Sequence, residues 1–110
     1  MKFSCDKHQL VETVTNVQRA VSVKSTIPSL EGILLKTSEE TVTLCGYNLE
    51  LGITTVLQSH VEESGKIVIS AKLFGDIVRR LPNDQVTISV DDNNRMTIVS
   101  GESTFTITGI

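Results

Sequence analysis

No apolar run in this 110-residue sequence approaches the roughly 20 residues that a membrane-spanning helix needs. The first residues, from Met1 to Asp6, also lack the continuous apolar segment of a secretory signal peptide. These absences predict a cytoplasmic protein with no membrane partner. The two cysteines, Cys5 and Cys45, show no CxxC spacing. Free thiols are therefore expected, and a disulfide as in a secreted protein is the less favoured alternative.

Motifs that carry catalysis or hold cofactors are missing as well. The sequence contains no GxSxG, no phosphate-binding P-loop and no GxGxxG. His8 and His60 fall in different predicted elements without a ligand pattern around them, so no metal site is predicted. Acidic pairs such as Glu39-Glu40 fall at predicted turns, where solvated charge is more usual than metal binding. We therefore predict a non-catalytic protein without a cofactor.

Two segments, residues 6–21 and 71–81, have the apolar spacing of amphipathic helices. Asp6 is placed to cap the first helix and Ser70 the second, and Pro82 marks the end of the second. The predicted apolar stripe of the second helix is Leu73, Phe74, Ile77, Val78 and Leu81.

The remaining sequence has the period of β-strands, with apolar residues at every second position. One such strand is assigned to Leu49, Leu51, Ile53 and Thr55, which share one face. The elements follow the order strand, helix, three strands, and then repeat that order, and the short connections favour antiparallel pairing. We therefore predict one α+β domain over residues 1–110, a duplicated β-α-β-β-β with two helices packed on two antiparallel sheets.

The net charge of −3 hides a strong segregation of charge. The two predicted helices and the loop after the first, residues 7–24 and 71–80, contain only two of the 13 acidic residues. They contain six of the ten basic residues, namely Lys7, Arg19, Lys24, Lys72, Arg79 and Arg80. Two basic helical faces on one side of a domain would form a surface suited to phosphates. The alternative is that Lys and Arg are simply good helix formers that also suit helix C-termini.

Aromatic residues are scarce, at 4% of the sequence, and none falls on the basic faces. Stacking on exposed bases is therefore not expected. Any nucleic-acid contact should be made to phosphates, without sequence readout, and should be sensitive to salt.

Several segments resemble the beta subunit of bacterial DNA polymerase III, the sliding clamp. They are Met1-Lys2-Phe3, the segment from Thr26 to Leu30, the turn Gly46-Tyr47-Asn48-Leu49-Glu50, the stretch from Ala71 to Pro82, and the ending from Ser100 to Ile107. Their order and spacing fit the amino-terminal domain of that family over all 110 residues. Within the family, the sequence most resembles the clamps of Gram-positive bacteria of the Firmicutes type.

The resemblance implies the DNA clamp fold, in which helices line the hole of a homodimeric ring around double-stranded DNA. The residues that match basic DNA-contacting positions are Lys24, Lys72 and Arg79, with Arg19 and Arg80 as further candidates and Lys7 after them. Phe105 and Ile107 match the strand that meets the second clamp subunit, and Arg95 lies near that contact.

The resemblance also implies that DNA polymerase and clamp loader bind through two later domains that these residues do not contain. Glu102 and Thr104 stand where relatives can carry arginine, so the ion pairs of those relatives are not expected here. The competing hypothesis is a protein-interaction β module whose basic helices have no role in DNA binding.

Overall fold

The computed structural model describes residues 1–22 and 24–110. These residues form nine strands, two α-helices and one 3₁₀ turn. In chain order the elements are β1 (Lys2–Asp6), α1 (Lys7–Gln18), the 3₁₀ turn (Pro28–Glu31), β2 (Gly32–Thr37), β3 (Thr41–Tyr47), β4 (Gly52–Gln58), β5 (His60–Glu63), β6 (Lys66–Ser70), α2 (Ala71–Val78), β7 (Gln85–Val90), β8 (Arg95–Ser100) and β9 (Ser103–Thr108).

Both helices begin at the capping residues predicted from the sequence. The Asp6 carboxylate accepts a 3.0 Å hydrogen bond from the backbone N–H of Gln9. The Ser70 hydroxyl accepts one of 3.3 Å from the N–H of Leu73. Each bond satisfies a first-turn donor that has no partner within the helix.

Both helices end about three residues before the predicted ends, at Gln18 and Val78. Arg19 and Arg79 occupy the equivalent C-cap positions, where a cation is favoured by the carbonyl end of the helix. The apolar spacing continues past each cap because the following turn still faces the core, with Ala20 and Leu81 buried.

The strands form two antiparallel sheets. The five-stranded sheet has the order β5-β1-β7-β8-β9, and the four-stranded sheet has the order β4-β3-β2-β6. The prediction of two helices and two antiparallel sheets is confirmed, but the predicted order of elements is interrupted by one additional strand, β5. Each sheet also contains one strand from the other half of the chain. β1 pairs with β7, and β6 pairs with β2. The two halves are therefore interlocked.

One strand was not predicted. β5 is four residues long, carries two glutamates and a histidine, and pairs with β1 at the edge of the five-stranded sheet. The polar composition of β5 is typical of a turn. The segment is a strand because its backbone pairs with β1. The described part of the chain therefore contains nine strands, where the sequence predicts eight.

The core lies between the inner faces of the sheets and the helices. Alternate residues of β3, Val42 and Leu44, are fully buried, as are Ile88 on β7 and Ile98 on β8. Gly46 on β3 lets α1 approach closely, since a Cβ there would lie 2.8 Å from the carbonyl oxygen of Val17.

Three apolar residues are more exposed than the sequence predicts. Leu49 and Leu51 belong to the turn before β4 and not to the strand, with exposed fractions of 62% and 46%. The turn is held by Asn48, whose side-chain oxygen accepts from the N–H groups of Glu50 and Leu51. Leu73 on α2 is 52% exposed, because the short helix buries its narrower stripe of Ala71, Phe74, Gly75 and Val78.

Candidate nucleic-acid interface

The two helices lie side by side in antiparallel directions. At one end, the Lys7 ammonium at the start of α1 donates a 2.6 Å hydrogen bond to the carbonyl oxygen of Leu81, just beyond α2. At the other end, the Gln18 amide at the end of α1 donates a 2.7 Å bond to the carbonyl oxygen of Ala71, at the start of α2. These two bonds fix both ends of the helix pair.

Arg79 joins the helices between those ends. Its guanidinium donates to the hydroxyl of Thr15 at 3.2 Å and to the side-chain oxygen of Gln18. Gly75, on the same side of α2, leaves room for these side chains, because a Cβ there would overlap the Gln18 amide and the Arg79 guanidinium. Both partners of Arg79 are neutral, so its positive charge is held in place but not neutralised.

The solvent-facing sides of the two helices form one surface. The exposed residues are His8, Glu12 and Thr15 on α1 with Arg19 at its C-cap, and Lys72 and Asp76 on α2 with Arg79 and Arg80 directly after it. We call these eight residues, together with the exposed Lys24 in the loop after α1, the paired-helix face. It contains five side chains with a fixed positive charge and two carboxylates.

The loop after α1 lies beside the start of α2. Ser22 in that loop and Lys72 on α2 line one open cleft, which also contains Glu31 and Asp76. Lys24 is two residues beyond Ser22 and is exposed. The structure therefore brings the basic loop and the basic helix to the same end of the paired-helix face.

The ion pairs found among residues 1–22 and 24–110 lie away from the five basic residues of this face. The Met1 amino group lies 3.8 Å from Glu63, Lys2 lies 3.4 Å from Glu62, and His8 lies 3.6 Å from Asp84. The first two join β1 to the edge strand β5. Within the described residues, Arg19, Lys24, Lys72, Arg79 and Arg80 thus keep their charge available to an anionic partner.

Lys7 differs from the other basic residues of the helices. Its ammonium is directed to the Leu81 carbonyl and is only half-exposed. It stabilises the helix pair and is the least available of the six to a phosphate.

Sequence reasoning missed Gln18 and Thr15 as parts of this surface. Gln18 contacts both Ala71 and Arg79, and Thr15 orients the same arginine. Neither residue type is distinctive on a helix. Their role depends on the antiparallel packing, which only the tertiary structure reveals.

Three residues assigned from the sequence to a subunit contact lie together at another part of the domain. Phe105 and Ile107 are half-buried on β9, opposite Ile98 and Met96 of β8. Arg95 begins β8 and is exposed, next to the far end of β9. β9 is the outer strand of its sheet, so this group marks one edge of the domain.

Both cysteines are free thiols. Burial, and to a smaller extent the neighbouring Asp6 carboxylate, which repels a thiolate, together raise the pKa of the Cys5 thiol to about 12. Among residues 1–22 and 24–110, no three His, Cys, Asp or Glu side chains are grouped so that they could hold a metal ion. Neither helix in this part of the chain is long and apolar enough to cross a membrane.

The family model for the DNA polymerase III beta subunit, N-terminal domain, matches residues 1–110. The chain belongs to this family. The interlocked sheets and the two helices described above are thus the clamp-domain fold, as the sequence predicts.

Proteins named beta sliding clamp are similar to the whole chain. The sequence is 36% identical to the clamp of Halalkalibacterium halodurans and 34% identical to that of Bacillus subtilis, and each match covers 100% of this chain. The chain spans about 31% of the length of these curated relatives.

Solved clamp structures share the fold closely. A putative DNA polymerase III beta subunit from Eubacterium rectale superposes with a TM-score of 0.96 at 37% identity, over 100% of this chain and 30% of that one. The sliding clamp from Bacillus subtilis also superposes with a TM-score of 0.96, at 34% identity, over 100% of this chain and 31% of that one.

Proposed function

We propose that this chain serves as the amino-terminal domain of a ring-shaped sliding clamp, a processivity factor for the replicative DNA polymerase. In this role the paired-helix face lines the hole and attracts the phosphates of double-stranded DNA without reading its sequence. The domain itself carries out no catalysis and needs no cofactor. Its cellular location, as predicted from the sequence, is the cytoplasm.

One observation carries this proposal: the helices with their C-terminal ends, and the loop after α1, carry five cations that have no ion-pair partner among the described residues, while most acidic residues lie on turns and edges elsewhere. Lys24, Lys72 and Arg79 are proposed as the main phosphate contacts, with Arg19 and Arg80 beside them. Long, exposed cationic side chains suit diffuse attraction to phosphates, and phosphate contacts carry no sequence information. Such contacts let a protein slide.

We further propose that β9 forms a subunit joint with a second clamp chain. Phe105 and Ile107 would supply its apolar part and Arg95 its charged rim. This is supported by the position of the three residues at one edge of the domain. Polymerase and clamp loader are proposed to bind through parts of the clamp outside these residues.

The test is binding of the 110-residue chain to duplex DNA, followed by fluorescence anisotropy over a range of salt concentrations. We expect weak binding to any sequence that weakens steeply with salt. The double variant Lys24→Ala/Arg79→Ala should reduce the slope of log K against log salt by about 2, because each lost phosphate contact removes roughly one released counterion.

The matched control is Lys36→Ala/Lys66→Ala, which removes the same charge from exposed positions that face each other on β2 and β6. It should leave the slope nearly unchanged if the helices make the contact. Equal losses in both double variants would show that only net charge matters, and unchanged binding in Lys24→Ala/Arg79→Ala would exclude these residues. Absence of DNA binding by the wild-type chain would favour the protein-interaction module.

A further inference from the structure

The side-chain amide of Gln18 is bonded at both ends between the two helices. Its nitrogen donates a 2.7 Å hydrogen bond to the carbonyl oxygen of Ala71, and its oxygen accepts one from Nη2 of Arg79. The first bond needs a donor and the second needs an acceptor. Glutamate, which has the same shape, offers only acceptors, and lysine offers only donors. Among side chains of this length, only a neutral amide can make both bonds.

Arg79 reaches this amide from the C-cap of α2. A helical side chain leans toward the N-terminus of its helix, and the Arg79 side chain accordingly lies back over position 75, one turn earlier. Its Nη2 also donates to the hydroxyl of Thr15 on α1 at 3.2 Å. The guanidinium is thus carried from the end of α2 to a place between the two helices.

Gly75 provides the space for this crossing. A Cβ at position 75 would lie 2.7 Å from Nη1 of Arg79 and would also overlap the amide of Gln18. Glycine is the least favourable residue within a helix after proline, so its place in α2 needs a local reason. The two side chains that a Cβ would displace are the ones that bond to each other, and their bond supplies that reason.

The guanidinium of Arg79 can still bind an anion while it is held. Its bonds to Gln18 and Thr15 both come from Nη2. A guanidinium has three further N–H groups, on Nη1 and Nε, and in the described part of the chain they have no hydrogen-bond partner. Arg79 is also exposed. A phosphate can therefore accept from Nη1 and Nε together without breaking the contacts that hold the side chain.

We infer that Gln18 and Gly75 are positioning residues of the nucleic-acid interface, and that they hold Arg79 as a pre-ordered phosphate contact between the helices of the paired-helix face. The inference rests on the proposed phosphate role of Arg79 and adds how the chain prepares this residue. A mobile cationic side chain loses conformational freedom when it binds a phosphate, whereas Arg79 has already lost that freedom on folding. Lys72 has no comparable holding contact within the described residues.

The test measures binding of the chain to duplex DNA over a salt series for three variants. Gln18→Met removes both bonds but leaves the charge of Arg79, so the affinity should fall about 3-fold, through the freedom that Arg79 regains, with an unchanged slope of log K against log salt. Gln18→Glu sets a carboxylate against the guanidinium, so the slope should fall by about 1, as if one phosphate contact were lost. Gly75→Ala should weaken binding like Gln18→Met without lowering Tm, because alanine favours the helix.

Gln9→Glu is the matched control for the added charge, because Gln9 is exposed on α1 and lines a cleft against β4, away from Arg79. It should change the slope by less than half as much as Gln18→Glu. Gln18→Met is also made in an Arg79→Ala background, where it should have no further effect on binding. A second readout needs no DNA. The heteronuclear NOE of Arg79 Nε in the free chain should report an ordered group in the wild type and a mobile one in Gln18→Met and Gly75→Ala.

Three outcomes would overturn the inference alone. A mobile Nε of Arg79 in the wild type would show that the guanidinium is not held. Equal effects of Gln18→Met with and without Arg79 would show that Gln18 supports only the packing of the helices. Weaker binding in Arg79→Ala, with no change in Gln18→Met or Gly75→Ala, would keep Arg79 as a phosphate contact and remove the positioning role. Absence of DNA binding by the wild type would instead contradict the proposed function itself, and the positioning role with it.

Discussion

At the scale of single residues, the clearest chemical prediction concerns Cys5. Its thiol is buried, with a pKa raised to about 12 by burial and by the Asp6 carboxylate. A raised pKa means that the folded state keeps the neutral thiol, whereas the unfolded chain loses the proton near its ordinary value of 9.0. The resulting stabilisation is fully present below about pH 9 and is lost as the pH rises towards about 12.

Comparison of the wild type with Cys5→Ala isolates this effect. We expect the difference in the free energy of unfolding between them to shrink by about 1.4 kcal/mol from pH 8 to pH 10, following the usual free-energy value of one pKa unit. Urea unfolding at the two pH values measures it. A difference independent of pH would show that Cys5 ionises equally in both states.

In the folded chain, the half-buried Cys45 should also react with a thiol reagent before Cys5 does.

Residue-level features could be predicted where the cause is local. The caps at Asp6 and Ser70 follow from the side chain and the first turn alone, and the structure confirms both. The exposure of Leu73 and the role of Gln18 could not be predicted, because both depend on which side of each helix meets its neighbour. A periodic stripe indicates that a face is buried but not how wide that face is.

At the scale of elements, α1 approaches β3 closely at Gly46. A Cβ at this position would meet the carbonyl oxygen of Val17 at 2.8 Å, a backbone atom that cannot rotate away. We expect Gly46→Ala to destabilise the fold by about 1–3 kcal/mol, the usual cost of overpacking a core. Thermal and urea unfolding would measure this change.

Gly52→Ala is the matched control. It changes glycine to alanine at the start of β4, where the nearest atom to a new Cβ, Cδ1 of Tyr47, is at an ordinary 3.5 Å. This variant should unfold close to the wild type. If Gly46→Ala were equally stable, α1 would have to shift on β3 without cost, and the tight contact would not limit the packing.

Most elements could be predicted from the period of the apolar residues, but β5 and the turn at Leu49 could not. β5 has a polar composition and exists through its pairing with β1. Leu49 has a positive φ of 80°, a conformation unusual for leucine, and its apolar side chain suggested a strand. In both cases the tertiary or turn geometry overrides the pattern of the sequence.

At the scale of the whole molecule, the charge segregation could be predicted from the sequence, but the exchange of strands between the halves could not. Counting charges along the chain needs no knowledge of pairing, and the structure places the basic helices side by side. The pairing of β1 with β7 and of β6 with β2 joins residues that are far apart in sequence. The local sequence of β1 and β6 does not indicate with which sheet each of these strands pairs.

This exchange of strands predicts that neither half of the chain folds alone, although each contains one α-helix and at least four strands. Residues 1–59 would lack β6, which covers the side of β2 away from β3, and residues 60–110 would lack β1, which lies between β5 and β7. Each half would also lose the packing of α1 on α2. We expect each fragment to show the circular dichroism and narrow amide NMR dispersion of an unfolded chain. An equimolar mixture should regain strand signal and dispersion, because every exchanged strand is then supplied. A folded 1–59 fragment would show that the duplication consists of two self-sufficient units, and that the interlock follows folding without being required for it.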